Sequence, residues 1–129
     1  MTQHVAGELV AGRFRLERVL APGTRGSIWA ARDEQRDAAV AVKLVDGPLA
    51  GTALIGFTRQ AKASADIASP GLVDILDCGS AGGSSYLAME LLEGEDLGRR
   101  LEREGRLSLA AASEIGRQVA GALRPVHIV

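Results

Sequence analysis

Two glycines three positions apart, Gly23 and Gly26, stand between a run that opens with strict alternation, Phe14 to Leu20, and a second run, Ser27 to Arg32. A third run, Ala38 to Val45, contains Val40-Ala41-Val42-Lys43. No other stretch constrains the fold as strongly. Alternation with a period of two specifies strands, and a glycine turn between two such runs specifies neighbours in a sheet. The two glycines also let a backbone bring its N–H groups close to phosphate oxygens with no Cβ in the way. Within the third run, Ala41 and Lys43 fall on one face about 6.6 Å apart, while Val40, Val42 and Leu44 fall on the other. The small Ala41 leaves room for a flat ring, and the Lys43 ammonium meets phosphate as a point charge. Taken singly, a G-x-x-G turn marks a hairpin and a strand lysine marks a solvated surface. The ordered combination suggests a phosphate cradle.

The rest of the chain arranges itself around that unit. Residues 1–12 form a flexible lead-in, with His4 unstructured. Asp33 to Asp37 is a charged turn, and Asp46-Gly47-Pro48 ends the third strand. Thr52 caps a helix that runs to about Ala68, with Phe57, Ala61, Ser64, Ala65 and Ala68 at helical spacing. Ser69-Pro70-Gly71 stops it. Leu72 to Cys78 is a fourth strand, Gly79 to Ser84 a turn, and Ser85 to Leu92 a fifth strand. Asp96 to about Glu104 forms a helix, and Ser108 caps another that carries Ala112, Ile115, Val119 and Leu123 as an apolar stripe. The result is an α+β chain with a five-stranded antiparallel sheet and one helix against it.

Composition excludes several classes of function. A net charge of −1 with interspersed acids and bases offers no footprint for nucleic acid or an anionic membrane. The Arg99, Arg100, Arg103 and Arg106 cluster alternates with Glu102 and Glu104 and reads as a solvated helix face. Arginine greatly outnumbers lysine, so Lys43, one of two lysines, stands out. Cys78 is the only cysteine, which excludes an internal disulfide, fits a reducing cytoplasm and reads as a buried small hydrophobe. His4 and His127 lie at opposite ends without ligand spacing, so no metal site is expected. No apolar run is long enough to span a membrane.

The order of strand, glycine turn, strand with Ile28 and strand V-A-V-K resembles the first three strands of a protein kinase small lobe, whose motifs are G-x-G-x-x-G-x-V and V-A-I-K. Phe57-Thr58-Arg59-Gln60-Ala61 resembles the family's αC helix, and Ser69-Pro70-Gly71-Leu72-Val73 its H-P-N-I-V element. Tyr86 to Leu97 resembles the fifth strand, hinge and αD entry of bacterial serine/threonine kinases, and the stripe through Leu123 resembles αE. The resemblance runs from about Phe14 to His127. It implies a small lobe over residues 13–92, and a hinge exit with αD-like and αE-like helices over 93–129.

Residue by residue, the resemblance implies that Gly23 and Gly26 shape a phosphate loop and that Lys43 pairs with the α- and β-phosphates of ATP. Ile28 and Ala41 would sandwich the adenine. The Glu90 carbonyl and Leu92 amide would read the purine edge, Met89 would back the pocket, and Asp96 would contact the ribose. Two departures stand out. Ala21-Pro22 replaces the first glycine and stiffens the loop. Gln60 replaces the αC glutamate, so the ion pair with Lys43 becomes an ordinary hydrogen bond of about 1 kcal/mol in place of one of about 1.5–3 kcal/mol.

No H-R-D, catalytic-loop asparagine or D-F-G occurs in the 129 residues, so no catalytic residue is assigned and Mg²⁺ is not supported. The expectation is a nucleotide-binding kinase lobe, inactive by itself. The alternative is a pseudokinase-like interaction module that dimerises or binds a partner protein through Ile115, Val119 and Leu123, with nucleotide dispensable.

Overall fold

The computed structural model describes residues 4–23, 26–46 and 71–128. Among the described residues, six strands form one antiparallel sheet: β1 (Leu9–Val10), β2 (Phe14–Ala21), β3 (Gly26–Asp33), β4 (Ala38–Val45), β5 (Ile75–Ala81) and β6 (Ser84–Glu90), in the order β1-β2-β3-β4-β6-β5. Two helices follow, α1 (Leu97–Glu104) and α2 (Leu109–Ile128). The expected helix from Thr52 to Ala68 lies outside the described residues. The chain divides into two compact units. The sheet belongs to the first, which ends at Leu91, and both helices belong to the second, which resumes at Leu92.

Alternation builds the core on one face of the sheet. Leu16 pairs with Ala31, Trp29 with Val42, Ala31 with Val40, and Leu44 with Tyr86. Phe14, Leu16, Val40, Val42, Leu44 and Ala88 are fully or almost fully buried there. Tyr86 tilts against Phe14 with ring centroids 5.9 Å apart and donates its hydroxyl to Asp77 at 2.8 Å. It also covers Gly79, its partner on β5, where an added Cβ would come within 3.2 Å of the ring. Burial, with the Asp77 bond adding, pushes the Tyr86 phenol up to about 12.

Three features differ from the expectation. The lead-in is packed: Leu9–Val10 pairs with β2 as a sixth strand, and Val10 joins the core. His4 is held as well, its Nδ1 at 2.9 Å from Glu8 and its Nε2 at 3.1 Å from Asp46 and 3.2 Å from the Ser84 hydroxyl. The physical reason is long-range pairing: Asp46 and Ser84 are distant in sequence, so no local pattern announces them. The hinge side differs too. β5 begins three residues later than expected and runs to Ala81, and the reversal is a two-residue turn at Gly82-Gly83. Both have positive φ, 58° and 84°, the geometry that matches strand twist in a tight hairpin and that glycine adopts freely. Finally, Cys78 is half-buried, because β5 is an edge strand with a neighbour on one side only.

The charged turn after β3 holds a buried ion pair. Asp33 is fully buried and accepts two bonds from the Arg13 guanidinium, at 3.0 and 2.8 Å, and the amides of Gln35 and Arg36. The Arg13 bonds hold its carboxyl well below the ordinary value, down to about 2, against the opposing effect of burial.

In the helical unit, local capping accounts for the helix starts. Asp96 accepts the Arg99 amide at 2.8 Å and Ser108 accepts the Ala111 amide at 3.1 Å. α1 has no buried residue, and two of its three arginines are paired with acids, Arg100 with Glu104 at 2.6 Å and Arg103 with Glu95. α2 continues through Pro125 to Ile128.

Candidate functional site: the glycine turn and Lys43

The sheet face opposite the core carries Ile28, Ala41 and Lys43, three of the residues expected to form a site. Ile28 on β3 lies directly across from Lys43 on β4, and Lys43 across from Leu87 on β6. Directly paired residues place their side chains on one face with Cβ atoms about 4.5–5.5 Å apart. At the end of that face is a cavity of about 380 Å³. It is lined by Ala21, Pro22, Gly23, Gly26, Ser27, Ile28, Lys43 and Val45. The structure therefore brings together Gly23, Gly26, Ile28 and Lys43, which are up to twenty residues apart in sequence. Thr24 and Arg25 lie outside the described residues.

Both glycines are required by close backbone approach. A Cβ on Gly23 would collide with the carbonyl oxygen of Gly26, and one on Gly26 with that of Leu44. Gly26 is therefore pressed onto the neighbouring strand and Gly23 onto Gly26, with no side chain at these two positions to screen an approaching anion. Lys43 is exposed on the cavity wall, and no salt bridge engages it among the described residues. Ile28 and Val45 supply apolar walls on the same cavity. A cationic head beside bare peptide backbone, flanked by aliphatic side chains, suits a ligand with an anionic end and a flat apolar end.

The remaining expected site residues fall elsewhere. Ala41 is buried at 6% and pairs with Ala30 and Met89. It continues the same face one step beyond Lys43, and neither it nor Met89 lines the cavity. Glu90 pairs with Val40, and its carboxylate accepts the Asp74 amide at 3.2 Å while its own amide donates to the Asp74 carbonyl at 3.0 Å. Its side chain thus fastens the entry to β5. Leu92 is 65% exposed and, with Asp96, belongs to the helical unit. The Asp96 carboxylate caps α1. Gln60 lies outside the described residues. Ser27 and Val45 were not anticipated; their direct pairing partners, Leu44 and Gly26, become visible only in the strand register. Among the described residues no cluster of His, Cys, Asp or Glu could hold a metal ion.

The family model described as protein tyrosine and serine/threonine kinase matches residues 14–127. The chain belongs to the protein kinase family. Among curated kinases, it is 34% identical over 128 residues to the serine/threonine-protein kinase PknA of Mycobacterium tuberculosis, an alignment covering 94% of this chain and 30% of PknA. It is 33% identical over 118 residues to PknE of the same species, covering 90% of this chain and 21% of PknE. Among solved kinase structures, a double mutant of the Mycobacterium tuberculosis PknI kinase domain superposes with a TM-score of 0.87 at 21% identity. That match covers 98% of this chain and 51% of the PknI chain, and it establishes the shared fold. The chain thus spans about a third or less of its curated kinase relatives and about half of a solved kinase domain. The sheet matches the kinase small-lobe sheet with one further short strand, and two helices follow it along the chain, the order in which αD and αE follow that sheet in the family. No helix among the described residues is long and apolar enough to cross a membrane.

Proposed function

We propose that this chain is the nucleotide-binding part of a serine/threonine kinase-like protein, with ATP as its ligand. The observation that carries the reading is the single cavity that gathers the Gly23 and Gly26 backbone, Ile28 and Lys43. In this reading Lys43 pairs with the phosphates, and the glycine peptides present N–H groups to them. Ile28 and Ala41 cover the base, Met89 backs the pocket, the Glu90 and Leu92 backbone reads the purine edge, Asp96 lies near the ribose, and Gln60 steadies Lys43. ATP, when bound, supplies the phosphoryl group. The residues of this chain bind and orient it. The H-R-D and D-F-G motifs that supply a catalytic base and a metal ligand in the family do not occur in its 129 residues.

The test is a thermal-shift titration with ATP, with and without Mg²⁺. Ligand at a hundred times its Kd adds about 2.7 kcal/mol to the native state, a shift of several degrees. Lys43→Ala is expected to lower ATP affinity by about 10- to 100-fold, the loss of a charge-assisted contact. A wild-type midpoint that ATP does not move removes the reading.

A second reading is favoured by the surface of α2, where Val119 is 51% and Leu123 37% exposed, with Ile115 half-buried on the same stripe. Here the chain is an interaction module whose partner is a second copy, bound through that stripe. Sedimentation velocity is expected to give a concentration-dependent dimer that Val119→Glu dissociates. A monomer at every concentration removes this reading and leaves the first untouched.

A further inference from the structure

Trp29 is the only tryptophan in the chain, and it is 6% exposed within the core. Its Nε1 donates a hydrogen bond to the Ser27 hydroxyl at 2.9 Å. Alternation puts these two side chains on one face of β3, with Ile28 between them on the face of Lys43. Trp29 pairs with Val42 and Ser27 with Leu44, so the bond lies along the strand over the core residues of β4. Ser27 also lines the cavity and directly follows Gly26, the glycine whose backbone presses on the Leu44 carbonyl.

The chemistry gives this bond a direction. An indole N–H can only donate, and leaving one unmet in the interior carries the full desolvation cost of the group. Ser27 is therefore the acceptor, and its hydroxyl is drawn toward the core. A serine beside a turn otherwise competes for nearby backbone groups and offers the chain other local conformations. Here that option is closed, and the first side chain after the turn is anchored to the largest residue of the core.

We propose that Trp29, acting through Ser27, is the positioning residue of the phosphate turn. The bond keeps Gly26 and Ser27 registered on Val45 and Leu44, and so keeps the Gly26 peptide on the cavity that Lys43 lines. This rests on the nucleotide reading above and adds a residue that acts on the phosphate end of the ligand alone. Because the positioning residue is the sole indole, filling the cavity also changes its emission.

The experiment compares ATP and adenosine binding to the wild type, Ser27→Ala and Ser27→Thr by calorimetry, with Trp29 emission recorded in parallel. Loss of one net hydrogen bond is expected to weaken ATP by about five- to tenfold in Ser27→Ala. Adenosine affinity is expected to stay within about twofold, since adenosine carries no phosphate for the turn to hold, and Ser27→Thr, which retains the hydroxyl on a strand-favouring residue, is expected to restore ATP binding. ATP shifts the emission of wild type and Ser27→Thr and leaves that of Ser27→Ala unchanged. Equal weakening of ATP and adenosine, unaltered ATP affinity in Ser27→Ala, or failure of threonine to rescue overturns the positioning role while leaving the nucleotide reading standing. A wild type that binds neither ligand overturns the nucleotide reading, and the positioning role with it.

Discussion

The sheet unit and the helical unit are built by opposite means. In the sheet, residues from five of the six strands meet in a core whose main members, Phe14, Leu16, Val42 and Leu44, are at most 1% exposed. In the helices, α1 has no buried residue, Leu109 is 84% exposed, and the visible organisation is local: an Asp96 cap, a Ser108 cap and short-range pairs such as Arg117 with Glu114 at 3.0 Å. The difference teaches where stability and function reside. A core made of long-range contacts can hold a glycine turn and a lysine in fixed relation. A surface helix held by caps and exposed ion pairs gains little from each of them.

The sharpest way to break this comparison is a matched pair of truncations. Leu44→Ala removes a side chain at the centre of the core and is expected to cost about 2–5 kcal/mol, read as a lowered urea midpoint. Val119→Ala on α2 is expected to stay within about 0.5 kcal/mol, as exposed substitutions do. Equal losses would mean that the helical unit is as deeply packed as the sheet.

The next effect in size belongs to Asp33. Asp33→Ala strands the Arg13 guanidinium and leaves two turn amides without an acceptor, an expected loss of about 2–3 kcal/mol. Its carboxyl titrates near 2 when folded and near the ordinary 3.8 when unfolded. The stabilisation is therefore complete above about pH 4 to 5 and declines as pH falls toward 2. Urea midpoints measured from pH 6 down to pH 2 should fall more steeply in the wild type than in Asp33→Ala; parallel curves would exclude the pair as a stabilising element.

The smallest effect sharpens the helical side. Asp96→Ala removes the α1 cap at an expected cost of about 1 kcal/mol, seen as faster amide exchange in Leu97–Glu104 with no change in the sheet. Protection lost in β3 or β4 as well would show that the two units are energetically coupled.

The local signals were legible in the sequence to a useful degree. The alternation of β2, β3 and β4, the face shared by Ala41 and Lys43, and the cap at Ser108 all follow from patterns a few residues long. Those interactions are short-range, so the residues that cause them sit beside one another in the chain. The association of Gly23 and Gly26 with Lys43 was also readable, through the order of elements.

Other features were decided only when the chain closed on itself. Asp33 reads as one acid in a charged turn, and only the folded sheet puts Arg13 against it. His4 reads as part of a loose lead-in, yet it is fixed by Asp46 and Ser84. Ser27 reads as an ordinary strand polar residue, and its place beside the cavity and under Trp29 depends on the register of β3 on β4. Periodicity and capping determine what each segment becomes. Which segments meet, and therefore which polar groups are buried together, depends on pairings whose partners lie tens of residues away, and only the tertiary structure supplies those.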